Sequence, residues 1–264
     1  MTDETNFGDR NRRGVYDMAN IIKLGSCYLN GSLAPVGRRH VPGQEILIGN
    51  TYMGQEISWV VVDRTLVADR CVLINVSWDD LNAYDLILGK KIFIDGFSYM
   101  IMAPNAESAG HEMNEWESFL GTVGDESNEL WHWKGTYFWG KDISPNDPNY
   151  RVVRGYYSAQ GWSYSESSNR QDNIGFRPIL RPVCTEFTPK MPPYSELFLW
   201  IGQSLIHGRL SEITEYDLIV VELPGSHISD EDINQIIMQL PDGRLIVDRS
   251  KIKDVQRKVL REKN

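Results

Sequence analysis

The sequence predicts an α+β protein in which antiparallel hairpins and two short helices precede a small C-terminal α/β domain. Three observations carry this. Short apolar runs, alternating or continuous and punctuated by Gly, Pro, Asn and Asp, recur from Ile21 to Pro182, as strands require. Two windows in that region, opening at Ser77 and near Asn114, read as helices. Beyond Pro189, Pro192 and Pro193 the apolar spacing changes toward the helical period. The expected organisation is a flexible tail at 1–17, a main domain at 18–186, a Pro-rich linker at 187–194 and an αβαβα accessory domain at 195–264.

Taken in order, Ile21 to Leu24 and Glu45 to Tyr52 are expected strands. Ile57 to Asp63 (ISWVVVD) and Cys71 to Val76 (CVLINV) flank a turn-like Leu66 to Arg70 and are expected to pair as a hairpin. Ser77 offers an N-cap with Asp80 at the capping-box position, for a helix through about Leu88. Lys91 to Met102 predicts a second hairpin, because Asp95-Gly96 is the residue pair that a type I′ turn demands. Asn114 to Leu120 predicts a helix with Trp116, Phe119 and Leu120 on one face. Leu130 to Trp133 and Thr136 to Trp139 alternate as strands do, with Trp131 and Phe138 expected in the core. In the last third, Leu197, Phe198, Ile201 and Leu205 suggest a helix, and Asp217 to Leu223 a buried strand. A second helix capped at Ser229 carries Ile233, Ile236, Ile237 and Leu240. A short strand at Leu245 to Val247 and a basic helix over Ser250 to Lys263 complete the unit.

The formal net charge is -9, and nine carboxylates lie between Glu107 and Asp147 against Lys134 and Lys141 alone. Nonspecific nucleic-acid binding needs basic surface to neutralise phosphates, so no nucleic-acid partner is expected. Cys27, Cys71 and Cys184 are odd in number and form no CxxC pair, which favours a reducing compartment over a disulfide framework. No apolar run approaches the roughly 20 residues that span a bilayer, and no signal-peptide core is read at the N-terminus. The expectation is a soluble protein with no membrane partner, cytoplasmic or virion-associated.

The stretch that points to function is Arg151 to Pro182, RVVRGYYSAQGWSYSESSNRQDNIGFRPILRP. Two strand-like ends hold a loop dense in Tyr, Ser, Trp and Asn. Tyr and Trp supply large contact area at low entropy cost, and hydroxyls beside them supply adaptable hydrogen bonds. The ligand-binding candidates are Trp133, Tyr137, Trp139, Tyr156, Tyr157, Trp162, Tyr164, Asn169 and Arg170.

Arg154-Gly155, then Trp162, then Asn173-Ile174-Gly175-Phe176-Arg177-Pro178, resembles the closing segment of C-type-lectin-like domains. The branch is that of formylglycine-generating enzymes and the variable proteins diversified by retroelements. The resemblance covers Trp131 to Pro182 and extends toward Ile46, and it departs at Tyr156, where the family has a second Gly. It implies a C-type-lectin-like main domain with Gly175, Phe176 and Arg177 as scaffold, and ligand contacts between Arg154 and Arg170. It also implies a phage or bacterial setting and a protein or glycan ligand.

The enzymatic branch depends on a reactive thiol pair near the end of the fold, and Cys184 is the one cysteine there. A formylglycine-type oxidase is therefore disfavoured and no catalytic residue is nominated. His111-Glu112-Met113-Asn114-Glu115 lacks the second His of a zinc-protease helix. Asp125, Glu126, Asn128 and Glu129 fit no calcium-loop spacing, and no GxGxxG or Walker loop occurs, so no cofactor or metal is expected. Two further readings stand beside that of a recognition module: an assembly protein of a phage particle or bacterial apparatus, forming a homo-oligomer through its C-terminal domain, and an enzyme of unfamiliar kind.

Overall fold

Four β-sheets make up the protein in the computed structural model, which describes residues 21–107, 113–185, 188, 190–233 and 235–259. The expected N-terminal tail, His111-Glu112 and parts of the Pro-rich linker lie outside the described residues. The chain is mostly β, with few helices. No helix among the described residues is long and apolar enough to cross a membrane.

The first sheet is wholly antiparallel. Its strands run in the order Ile21–Lys23, Ser58–Val62, Thr65–Ala68, Ile179–Pro182, Phe97–Met102 and Lys90–Ile94. Two tight turns within it place Asp63 at φ 49°, and Asp95 and Gly96 at φ 52° and 90°. These are left-handed conformations that Asp and Gly tolerate, and they match the twist of the flanking strands. The hairpin partner of Ser58–Val62 is thus Thr65–Ala68. Cys71 to Val76 is not that partner, and its short strand Leu73–Ile74 sits in the second sheet. The correction has a plain cause: a two-residue turn at Asp63-Arg64 closes before the longer loop can.

The second sheet runs Trp162–Glu166, Tyr150–Gly155, Tyr137–Ile143, Ile174–Phe176, Leu73–Ile74 and Arg38–Arg39, with two parallel pairings. A three-stranded sheet of Ser32–Ala34, Ser26–Leu29 and Ile46–Gly49 packs beside them. Helix α1, Trp78–Ala83, has a complete capping box: Ser77 Oγ accepts from Asp80 N and Asp80 Oδ2 accepts from Ser77 N. Helix α2, Glu115–Val123, is capped by Asn114, ends on left-handed Gly124, and buries Trp116, Phe119 and Leu120. The strand expected at Leu130 to Trp133 is instead helix α3, Asn128–Trp131. Ser127 caps it, and His132 ends it at φ 43°.

The αβαβα expectation for residues 195–264 is overturned. The described part is a six-stranded antiparallel sheet, ordered Ile237–Gln239, Leu245–Asp248, Asp217–Glu222, Ser204–Ile213, Glu196–Ile201 and Ile252–Arg257. Glu196–Ile201 is apolar at every position after the first because both of its faces are covered. Leu197, Leu199 and Ile201 enter the core of this sheet, while Phe198 and Trp200 enter the large core of the first unit. A strand buried on both sides reads as a continuous apolar run, and helical spacing can be picked out of any such run. The Ser229 segment forms single turns, and the described part of the expected basic helix is instead a short 3-10 turn, Arg249–Lys251, that runs into the strand Ile252–Arg257. The sheet is no free accessory domain: Phe198 packs on Phe97 at 4.5 Å, and Gln256 Nε2 donates to Ser98 O at 2.7 Å.

One segment joins the first two sheets. Ile174–Phe176 lies in the second sheet, and after Arg177-Pro178 the chain enters the first as Ile179–Pro182. A Cβ built on Gly175 would stand 2.3 Å from Leu73 O and 2.8 Å from Cys71 Cβ. Arg177 is fully buried; it donates to Trp131 O and lies 4.9 Å from the Phe138 ring and 5.2 Å from the Trp116 ring. Its Nε and Nη1 meet no hydrogen-bond acceptor among the described residues, and burial lowers its pKa against the opposing fields of Cys71 and Asp69. Because overpacking a tight core costs about 1–3 kcal/mol or more, Gly175→Ala is expected to lower unfolding free energy by at least that amount. Urea denaturation followed by tryptophan fluorescence measures it, and an unchanged midpoint would show that the strand has room.

Candidate recognition surface

The surface is built on the hairpin Tyr150–Gly155 / Trp162–Glu166, whose outer strand is an edge of the second sheet. The connecting turn is tightly drawn. Gly155 N donates to Gly161 O at 2.8 Å, and Gly155 sits at φ 102° with Thr136 O only 2.6 Å from where a Cβ would stand. Tyr156 follows at φ 72°, a left-handed conformation unusual for a bulky residue. Three backbone bonds hold it there: its N–H lies 3.0 Å from both Trp133 O and Thr136 O, and its carbonyl accepts from Gly135 N at 2.9 Å. Its ring stacks on Tyr137 at 4.8 Å and 17°, and Tyr157 meets it edge-on at 4.6 Å. The result is a ladder of three tyrosines whose last ring is 78% exposed. Burial raises the pKa of Tyr137, with the neighbouring phenols adding to the shift, so its hydroxyl stays protonated in neutral solution.

Trp162 and Tyr164 form a second aromatic group. Their rings meet edge-on at 5.3 Å, and Trp162 is 45% exposed. Side chains alternate along strands, so Trp162, paired with Arg154, shares the face of Arg154 and Phe138, whereas Tyr137 shares the face of Trp139. The rings expected to form one patch therefore occupy two faces of one sheet, meeting at the turned end of the hairpin. Burial, and then Glu107, raise the pKa of Tyr164.

Of the expected ligand contacts, Trp139 and Trp133 are drawn toward the cores, while Asn169 and Arg170 make internal hydrogen bonds. Trp139 is fully buried and its indole donates to Val76 O at 2.8 Å, so it belongs to the core. Trp133 is half-buried against the second core and donates to Glu126 O at 2.9 Å. Asn169 Nδ2 donates to Ser165 Oγ at 2.8 Å. Arg170 is clamped on Asp80 by two bonds, Nε to Oδ2 at 2.8 Å and Nη2 to Oδ1 at 2.7 Å, which ties its loop to the start of α1. Arg154, at the start of the expected contact region, is buried and pairs with Glu117. Gln160 sits exposed in the connecting turn, where its Nε2 donates to Glu126 Oε1 at 2.6 Å.

In the Asp125 to Glu129 segment the side-chain oxygens serve local bonds: Asp125 accepts from Ser127 N, and the Asn128 amide oxygen from Lys134 N. Among the described residues, no group of three or more His, Cys, Asp or Glu is placed to hold a metal ion. Cys184 lines the edge of an 890 Å³ cavity beside the C-terminal sheet. Burial and the neighbouring Asp254 push its thiol up to about 12. A thiol held in that state is a poor nucleophile at neutral pH. Comparison with protein-family models, curated proteins and solved structures returns no significant match.

Two outcomes follow. Tyr156→Gly removes the left-handed strain, worth about 1–2 kcal/mol for an L side chain, while deleting a stacked ring. Denaturant midpoints are expected to stay level or rise, and a large fall would show that the ring itself holds the turn. The second concerns Asp80, whose pKa burial would raise but which the bonds from Arg170 and Ser77 hold below the usual carboxylate range. A depressed carboxylate adds stability above its unfolded pKa, near 3.9, and that stability is lost as pH falls through the folded value. Thermal midpoints of the protein and of Asp80→Asn should therefore differ at pH 7 and converge as the pH falls through the folded pKa; a gap independent of pH would refute the ionic role.

Proposed function

We propose that this protein is a noncatalytic recognition module that binds a protein or glycan through the rings at the turned end of its aromatic hairpin. The observation that carries the reading is the Tyr137–Tyr156–Tyr157 ladder, which ends in an exposed ring on a backbone fixed by several hydrogen bonds. Rigid, pre-positioned aromatic rings bind at low entropy cost, and such rings dominate the energetics of interfaces. Trp162 and Gln160 extend the contact area along the same edge. The resemblance of Arg154-Gly155, Trp162 and Asn173 to Pro178 to C-type-lectin-like domains supports this reading, since that frame displays its ligand contacts on the same stretch. The lack of a second cysteine near Cys184 in the sequence weighs against the formylglycine-type alternative.

Screening the full chain on a glycan microarray and against a displayed library of protein fragments supplies a ligand. Tyr157→Ala and Trp162→Ala are each expected to weaken it about tenfold or more. Their unfolding free energies should stay within about 0.5 kcal/mol of the parent, as for exposed sites generally. Cys184→Ser should leave affinity unchanged. Full affinity in both aromatic variants would sink the proposal.

A further inference from the structure

The hairpin that carries the rings also ends a sheet, and its outer strand is an open edge. Trp162–Glu166 pairs with Tyr150–Gly155 on one side and with no strand on the other. Its register fixes which backbone groups face outward. Gly155 N donates to Gly161 O, and Ser167 N to Asn149 O. Bonded and non-bonded pairs alternate along an antiparallel ladder, so Val153–Ser163 and Arg151–Ser165 are the bonded pairs between those two. Trp162, Tyr164 and Glu166 therefore turn their N–H and C=O groups away from the sheet. The Glu166 carbonyl accepts from Asn169 N at 2.9 Å. The N–H and C=O groups of Trp162 and Tyr164 meet no partner among the described residues.

Exposed edges invite strand addition, and folds usually blunt them with brevity, cationic side chains or proline. The other edges of the first two sheets follow that rule. Ile21–Lys23 has three residues, Arg38–Arg39 is two arginines, and Lys90–Ile94 opens on two lysines. Trp162–Glu166 has five residues, no cation and no proline, and its register with Tyr150–Gly155 runs without a bulge. The charge beside it is negative. Glu166 shares the face of Trp162 and Tyr164. Glu107 lies against the Tyr164 phenol, and its Oε1 is buried with no hydrogen-bond partner among the described residues. Neither carboxylate meets a cation among the described residues, and Arg154, on the same face, is already paired with Glu117.

We infer that this edge takes a strand of the ligand: an extended peptide, antiparallel to Trp162–Glu166, with Arg or Lys at alternate positions. The inference rests on the recognition reading above and names the ligand as a peptide rather than a glycan. A peptide strand supplies the donors and acceptors that Trp162 and Tyr164 leave open, at the spacing a ladder requires. A glycan can stack on the rings but has no repeating N–H and C=O groups to match them. Alternate side chains of the added strand fall on the face of Trp162, Tyr164 and Glu166. Cations at those positions answer Glu166 and Glu107, and a guanidinium also suits the face of the exposed Trp162 ring.

Nuclear magnetic resonance of the full, isotope-labelled chain with a capped heptapeptide of alternating Arg and Thr tests this. Amide exchange at Trp162 and Tyr164 is expected to slow about tenfold or more on saturation, while Ser163 and Ser165 are protected with or without peptide. In antiparallel pairing, a residue opposite Tyr164 presents its own N–H to the edge. N-methylation of the Arg residues should therefore weaken binding about tenfold, and N-methylation of the Thr residues should not. Glu166→Lys should weaken the peptide about tenfold with an unchanged melting temperature, and a heptapeptide of alternating Glu and Thr should bind more weakly by a similar factor. Equal affinity of the two methylated peptides, or Trp162 and Tyr164 amides that stay open at about millimolar peptide, would overturn the inference. If a ligand from the screens loses affinity in Tyr157→Ala and Trp162→Ala yet leaves those amides unprotected, the recognition surface stands and strand addition falls.

Discussion

The structure depends on the crossing of Ile174 to Pro182 from the second sheet to the first. Gly175 has no space for a side chain, because Leu73 O and Cys71 stand where one would be. Two residues on, Arg177 carries a full charge into the interior. An isolated buried ion is costly, and a cation among rings recovers part of that cost through the negative faces of Phe138 and Trp116. The bond to Trp131 O then fixes the end of α3. The aromatic hairpin inherits its position from this crossing. Tyr137 N donates to Asn173 O at 2.7 Å, and Tyr137 pairs in parallel with Ile174, so the foot of the tyrosine ladder is set by the crossing strand.

The abundance of tryptophan has mainly an internal explanation. Six indoles are tied to a named acceptor in or beside the core: Trp59 to Leu24 O, Trp78 to Gly140 O, Trp116 to Ala159 O, Trp131 to Asp125 O, Trp139 to Val76 O and Trp200 to Gln256 Oε1. A buried indole must satisfy its one donor, and a carbonyl on a neighbouring segment both satisfies it and fixes that segment. In a fold with short strands and little helix, such bonds stitch loops to the core. Aromatic-rich sequence therefore reports two different roles, and local composition does not separate them.

This is why the sequence was legible in some places and opaque in others. The Ser77 capping box, the Asp95-Gly96 turn and the amphipathic Glu115–Val123 helix rest on residues within a few positions of each other, and local chemistry decides them. Glu196–Ile201 is different. Its second covering face comes from Phe97 and its neighbours, a hundred residues away in the chain, and no window around it contains that fact. The candidate surface divides in the same way. The exposure of Tyr157 and Trp162 follows from the hairpin turn that carries them. The burial of Trp139 follows from the interior partners it meets across the sheet, and the fixed position of Arg170 follows from Asp80 in a distant helix.

Tyr156 shows where stability and display compete. A glycine would occupy φ 72° without strain. Tyrosine there holds a strained conformation that three backbone bonds over-determine, and what it supplies is a ring stacked between Tyr137 and Tyr157. Core packing does not require that ring: Tyr156 is half-buried and outside the three core clusters. Strain that persists without serving the core is best accounted for by what it orients, here the exposed Tyr157. The strained Tyr156 is thus the strongest single reason to look for a ligand at the turned end of this hairpin.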